Sequence, residues 1–143
     1  MSVSLGSRAC KLENVGEKKS LQQKKSMKKT AFLLWICRIA AATLMLQTLY
    51  FKFSGAEESI YIFSTIGIEP WGRIGTGIAE LIAGILILIP KTSVYGAVTA
   101  MGIMAGAIMS HIFILGIIVK NDGGQLFAYA VIVFLCSVYL IYQ

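Results

Sequence analysis

Three ionisable side chains lie deep inside long apolar segments of this sequence: Arg38, Glu80 and His111. A charged group in the hydrocarbon of a bilayer costs ~2.5–3.5 kcal/mol, so we expect all three to face protein rather than lipid. A glutamate can hold a proton, an arginine can neutralise its charge, and a histidine titrates near neutral pH. We therefore assign these residues to a candidate intramembrane polar site, and no catalytic role is assigned to any of them.

The spacing of these residues along their segments predicts that they lie at a similar depth. A helix rises ~1.5 Å per residue, which places the three in a band ~4–5 Å deep near the middle of a ~30 Å hydrocarbon core. Each also shares a helix face with small residues, which is typical of faces that pack against another helix. Three further polar residues are secondary candidates: Lys52, Arg73 and Tyr129.

Two interpretations of Glu80 stay open at this stage. In one, Glu80 forms an ion pair with Arg38 that locks the helices together; in the other, it is a proton or ligand site shared with His111. A buried ion pair contributes little net stability, because desolvation can exceed the attraction, whereas ionisable groups inside a membrane usually serve function. The chain has a single histidine, which excludes a multi-histidine site, so we expect no metal.

The elements that must position these groups follow from composition. The 143 residues are 57% hydrophobic and 14% charged, with a mean hydropathy of +0.75, whereas soluble domains carry about 25% charged residues. Four apolar segments are long enough to cross a bilayer as helices. They cover residues 30–51, 71–89, 93–119 and 124–142. The sequence therefore predicts an all-α membrane protein, a bundle of four transmembrane helices.

The connection between the first two segments, residues 54–70, predicts a short amphipathic helix at the membrane interface. Ser54 and Glu57 fit a capping box, and Gly67 with Pro70 would end the helix. In the third segment, GIMAG at residues 102–106 is a G-x-x-x-G motif, which we assign to helix packing.

The basic residues are concentrated in residues 1–29, which carry the whole net charge of +6. We divide the chain into this basic tail, expected to be disordered and cytoplasmic, and a membrane domain of residues 30–143. The excess of lysine and arginine predicts four spans in the plasma membrane with both termini in the cytoplasm, and no nucleic-acid partner. Whether residues 1–26 belong to the native protein stays open, because Met27 is also a plausible start, and the charge asymmetry would then disappear.

The three cysteines, Cys10, Cys37 and Cys136, form no C-x-x-C pair. We interpret those in apolar segments as small buried hydrophobic residues, which argues against a thiol–disulfide oxidoreductase.

Several motifs together resemble the DoxX family over about residues 33–140. They are RIAAATLMLQTLYFKFSG, GIEPWGRIGTGIAELIAGILILIP and MAGAIMSHIFILG, and they contain Arg38, Lys52, Gly77 with Glu80, Pro90 and His111. The resemblance implies a four-helix bundle. It also implies two kinds of role, because some relatives are small membrane subunits of thiosulfate:quinone oxidoreductases and others are tied to redox-stress defence.

Two functional hypotheses follow, and a small carrier or channel ranks below both. In the first, the protein is a membrane subunit of a quinone-linked oxidoreductase that binds a quinone and moves protons through Glu80 and His111. In the second, it is a non-catalytic assembly or scaffold protein. The expected partners are the lipid bilayer and a soluble or membrane-bound oxidoreductase subunit, with a homo-oligomer left open.

Overall fold

The computed structural model describes residues 3–120 and 122–143, which form helices and connecting turns without a strand among them. Contacts divide the chain into two compact units, Met1–Trp35 and Ile36–Gln143. In the first unit the backbone is helical from Val3, and the side chains of residues 18–29 are exposed. The disordered tail and its boundary at residue 29 stay predictions. Residues 1 and 2 of that tail lie outside the described residues.

Five α-helices and one π-helical turn make up the described chain. In order they are α1 (Val3–Ser54), α2 (Glu57–Ile66), α3 (Trp71–Leu88), α4 (Ser93–Ser110), the π-helical turn (His111–Leu115) and α5 (Gln125–Tyr142). Four stretches are helical, long enough and apolar enough to cross a membrane: Lys18–Ser54, Trp71–Leu88, Ser93–Leu115 and Gln125–Tyr142. The predicted all-α fold with four membrane-spanning helices is confirmed.

The helix ends follow the turn residues in the sequence. Pro70 immediately precedes α3, and α3 ends two residues before Pro90. The third span is shorter than its apolar segment, which continues to residue 119. Gly116 adopts a φ of +81°, a conformation that glycine reaches without steric cost, and it ends the helical turn after Leu115.

The short helix α2 is present, but its N-terminus differs from the predicted capping box. The N-cap residue is Ala56, which makes no side-chain cap, and the Ser54 hydroxyl instead points back to the Phe51 carbonyl at 3.5 Å. Gly67 ends α2 in the left-handed conformation with a φ of 85°, which matches the prediction.

The centre of the second unit is built around α4, which packs against both α3 and α5. The small-residue face predicted for this helix is buried, with Ala97 and Ala100 fully inside and Met104 beside them. Small side chains let helix backbones approach closely, so α4 can contact two neighbours at once.

Candidate functional site

Glu80 is held in the interior by two residues of α1. Only 2% of Glu80 is exposed, and Lys52 Nζ donates to Oε1. The Thr48 hydroxyl lies 3.3 Å from Oε2 and 2.9 Å from the Met45 carbonyl oxygen, so the two acceptors share its one hydrogen. Thr48 and Lys52 are four residues apart, so they lie on the same face of α1. The carboxylate therefore has its charge compensated and both oxygens engaged.

Arg73 is not part of this ion pair, but it holds the backbone of Lys52 in position. Its Nε donates to Oε1 of Glu69, which precedes α3, at 2.7 Å, and its Nη1 donates to the backbone carbonyl of Lys52. The last turn of a helix leaves carbonyls without partners, so Arg73 satisfies one of them at the end of α1. Arg73 thus connects α3 to α1 beside Lys52, as a positioning residue.

His111 occupies the first position of the π-helical turn and is 4% exposed. Its Nδ1 lies 2.9 Å from the carbonyl oxygen of Gly116. Because a carbonyl can only accept, Nδ1 carries the proton, and in the neutral ring Nε2 is left with a lone pair. Phe127 of α5 packs edge-on against the ring at 5.8 Å between centroids. The Gly116 carbonyl therefore fixes the tautomer of His111, and the ring projects from a π-helical turn, a feature frequent at functional sites.

Asp122 lies outside the spans, before α5, and its carboxylate accepts hydrogen bonds from three backbone amides. The donors are Val119 N at 2.9 Å, Gly124 N at 2.9 Å and Leu126 N at 3.2 Å. Burial alone raises the pKa of Asp122, but these hydrogen bonds outweigh burial and lower the pKa below its usual value. Asp122 therefore stays ionised and organises the start of α5.

One cavity of about 600 Å³ contains most of these groups. Its walls are mainly apolar and come from the last part of α1, the first half of α3, the second half of α4 and the first half of α5, with α2 alongside. The ionisable groups that line it are Lys52, Glu58, Glu80, His111 and Asp122. A volume of this size is typical of sites for small organic ligands.

The structure brings together only part of the predicted site. Glu80 and His111 line the same cavity, whereas Arg38 is not among its lining residues. Arg38 Nη2 instead lies 3.2 Å from Ser93 Oγ, at the start of α4. The predicted pairing of Arg38 with Glu80 was wrong, because Lys52, further along the same helix, is the cation on Glu80.

Tyr129 and the G-x-x-x-G motif of α4 also lie at the cavity. Tyr129 lines the cavity, where its hydroxyl accepts from Gln125. Gly102 and Gly106 line it as well, and a Cβ at either would meet no atom of the described residues within 4 Å. Within the described chain the two glycines of this G-x-x-x-G motif contact no other helix, and the assignment of the motif to helix packing stays a prediction.

Sequence reasoning missed Thr48, Asp122 and Ser59 as residues of this site. Asp122 had a signal, since an aspartate followed by two glycines before an apolar run is typical of a helix start. Thr48 and Ser59 had none, because their importance depends on which neighbours the fold brings to them.

A family model described as DoxX matches residues 33–119, more than half of the chain. The chain belongs to the DoxX family. Within this DoxX-family protein the match covers Arg38, Lys52, Glu80 and His111, but it ends before Tyr129. No curated protein and no solved structure matches the chain.

Proposed function

We propose that this DoxX-family protein binds a quinone-like amphiphile in the cavity, as a membrane subunit of a quinone-linked oxidoreductase. The observation that carries the proposal is a mostly apolar cavity that also holds a buried ion pair and a buried histidine. An apolar wall accepts a ring and an alkyl tail, and a few polar groups can orient the head.

The residues of the cavity are suited to holding and moving protons. A bound quinone takes up two electrons and two protons on reduction, and the electrons would come from a partner subunit. His111 can accept a proton on Nε2, because Nδ1 is already occupied by the bond to Gly116. Glu80 can take a proton when Lys52 moves away, since an unpaired buried carboxylate is unfavourable.

The ligand would enter sideways from the lipid. Six residues that line the cavity are also exposed at the surface of the unit, four of them on α1 and α4: Gln47, Phe51, Gly102 and Gly106. Since glycines have no side chain, the wall is thin beside α4, and an alkyl tail can extend there into the bilayer.

We also propose a location, an orientation and partners. The basic residues near the N-terminus favour the plasma membrane with both chain termini in the cytoplasm. The cavity lies at the end of the second unit that contains the end of α1 and the start of α5, so it would then open in the outer half of the membrane. An oxidoreductase subunit is the expected partner, and a second copy of the chain is a further one.

Binding of a short-chain quinone tests the proposal directly. Decylubiquinone is titrated against the protein in lipid nanodiscs, and binding is measured by native mass spectrometry. We expect Glu80→Gln and His111→Ala each to weaken binding about tenfold, which equals about 1.4 kcal/mol. Glu57→Gln is the matched control, because it removes the same charge from a side chain that is 86% exposed.

A cavity-filling variant tests where the quinone binds. Gly106→Leu places a side chain in the cavity and is expected to weaken binding at least tenfold, as the volume is lost. Gly75→Leu is the control, since Gly75 also has open space around it but does not line the cavity. Wild-type protein that binds no quinone, or equal binding by wild type, the three variants and the two controls, would contradict the proposal.

Mass spectrometry of the protein purified from membranes with its lipids retained tests the subunit role. We expect a co-purifying redox protein and a bound native quinone, both in lower amounts for Glu80→Gln than for Glu57→Gln. Recovery of the chain without a redox partner under conditions that preserve membrane complexes would contradict the subunit role but not quinone binding.

An assembly or scaffold role is the second candidate, and the contact between Arg38 and Ser93 favours it. This contact joins α1 to α4 outside the cavity and so can serve packing alone. In this case Arg38→Ala lowers the amount of folded protein in membranes, and Glu80→Gln leaves the activity of the partner complex unchanged.

A further inference from the structure

Ser59 of α2 lines the cavity and is 6% exposed. Its hydroxyl oxygen is buried and has no hydrogen-bond partner among the described residues. A buried hydroxyl without a partner costs free energy, so native proteins seldom retain one without a reason. The proposed quinone-like ligand would supply such a reason.

Other hydroxyl groups in the helices of this chain are satisfied locally. Serine and threonine side chains at several positions bond to the carbonyl four residues earlier, a common arrangement within helices. Examples are Thr65, Thr76, Thr99, Ser110 and Ser137, at 2.7–3.0 Å. Ser59 departs from this arrangement although it is among the most buried of them.

The position of Ser59 in α2 explains the difference. It is the third residue of the helix, so the residue four positions earlier, Gly55, precedes the N-cap Ala56 and is not helical. The first-turn amides of a helix also lack partners inside the helix, and Ala56 has no side chain that can cap them. The first turn of α2 therefore offers both a free hydroxyl and amide donors beside the cavity.

Nearby charges select the kind of group that this turn can bind. A helix N-terminus by itself attracts anions, but the first turn of α2 contains Glu57 and Glu58, and Glu58 also lines the cavity. Glu57 is exposed and paired with Lys120, whereas the carboxylate of Glu58 lies at the cavity and opposes an anion there. A neutral oxygen, such as a carbonyl or a hydroxyl, can accept or donate a hydrogen bond there without that repulsion.

We propose that Ser59 and the first turn of α2 bind a neutral oxygen atom on the head of the amphiphile in the cavity. The inference rests on the proposed function and extends it. The ligand then carries at least two polar contacts, one at α2 and one at the Lys52–Glu80 pair, and an alkyl tail that leaves past α4. A quinone ring with its two carbonyl oxygens fits this description, and a fatty acid carboxylate does not.

Two probes with the same tail and different heads test the inference in the full-length protein in nanodiscs. Decylubiquinone carries ring oxygens, and decylbenzene has none. We expect Ser59→Ala to weaken decylubiquinone binding about five- to tenfold and to leave decylbenzene binding within twofold of wild type. Ser64→Ala is the matched control, because Ser64 is exposed on the same helix and does not line the cavity. We expect the Ser64→Ala variant to bind both probes as tightly as wild type.

The outcomes separate the two proposals. Unchanged decylubiquinone binding by Ser59→Ala, with wild type and Glu80→Gln behaving as proposed, overturns the role of Ser59 alone. Equal weakening of both probes also overturns it, since that indicates a change in shape rather than a lost hydrogen bond. Wild-type protein that binds neither probe overturns both proposals. Thermal unfolding checks that the variant is folded; if Ser59→Ala is not, Ser59→Gly removes the same hydroxyl, with the same expected results.

Discussion

The two halves of α4 use glycine in opposite ways. A Cβ at Gly96, in the first half, would lie 2.7 Å from the backbone nitrogen of Ile87 and 2.8 Å from the carbonyl oxygen of Ala83. A Cβ at Gly102 or Gly106, in the second half, would meet nothing within 4 Å among the described residues. Glycine therefore allows close packing on α3 at one end of the helix and leaves space for a cavity at the other.

The polar groups follow the same division. At the packed end, Arg38 contacts Ser93 and fixes α1 against α4. At the cavity end, Lys52 compensates the charge of Glu80, and both line open space. A charged residue inside a membrane bundle therefore indicates a functional site only when it also borders a cavity.

The largest expected effect comes from removing the cation at the cavity end. Lys52→Met leaves the buried Glu80 without its partner, and we expect the free energy of unfolding to fall by about 3–5 kcal/mol. The double variant Lys52→Met/Glu80→Leu removes both charges and should recover most of that loss. Denaturant unfolding in detergent micelles measures the free energy of unfolding of the single and the double variant. A single variant that loses less than about 1 kcal/mol would show that the pair is not as tightly buried as described.

The next effect tests the contrast between the glycines. Gly96→Ala forces a methyl group into backbone atoms of α3, and we expect a loss of about 1–3 kcal/mol in the free energy of unfolding. Gly102→Ala places the same methyl group in open space and should change stability by less than about 0.5 kcal/mol. Equal effects in the same unfolding assay would remove the distinction between the two ends.

The smallest effect concerns the cap beside the cavity. Asp122→Asn weakens the hydrogen bonds to the start of α5, and we expect a loss of about 1 kcal/mol at neutral pH. The folded-state pKa of Asp122 is below its usual value of 3.8, so the ionised carboxylate stabilises the fold at pH values above 3.8. This contribution is lost as the pH falls through the folded-state pKa. The difference between variant and wild type should therefore shrink below about pH 4. A difference that stays constant with pH would mean that the charge of Asp122 is irrelevant to the cap.

Much of the fold was predictable from the sequence. The bilayer requires about 20 apolar residues per helical span, so hydropathy located four spans, and Pro70 and Pro90 marked the ends of α3. Gly67 at the end of α2 was predictable for a related reason, since a left-handed residue there favours glycine. The capping box at Ser54 failed because the chain placed Ala56, two residues later, at the N-cap.

The candidate site was only partly predictable. The rise per residue along each helix predicted that Glu80 and His111 lie at a similar depth in the membrane, and in the structure both line the same cavity. The pairing of Arg38 with Glu80 was inferred from the depth of the Cα atoms in the membrane. It failed because a long side chain such as that of Lys52 can reach a carboxylate at a different depth. Lys52 starts at the end of α1 and extends inward to the carboxylate. The functional role of these residues stays a prediction that the binding experiments test.

By itself, the sequence determined which segments cross the membrane and which few residues carry charge within them. Both depend on local chemistry, namely the transfer of side chains and backbone from water to lipid. Tertiary structure alone decided which cation meets Glu80, which glycines pack and which border a cavity, and that the helix containing His111 widens into a π-helical turn. These features depend on how neighbouring helices are rotated and how closely they approach. Contacts between residues far apart in the chain produce no periodic pattern or fixed spacing in the sequence.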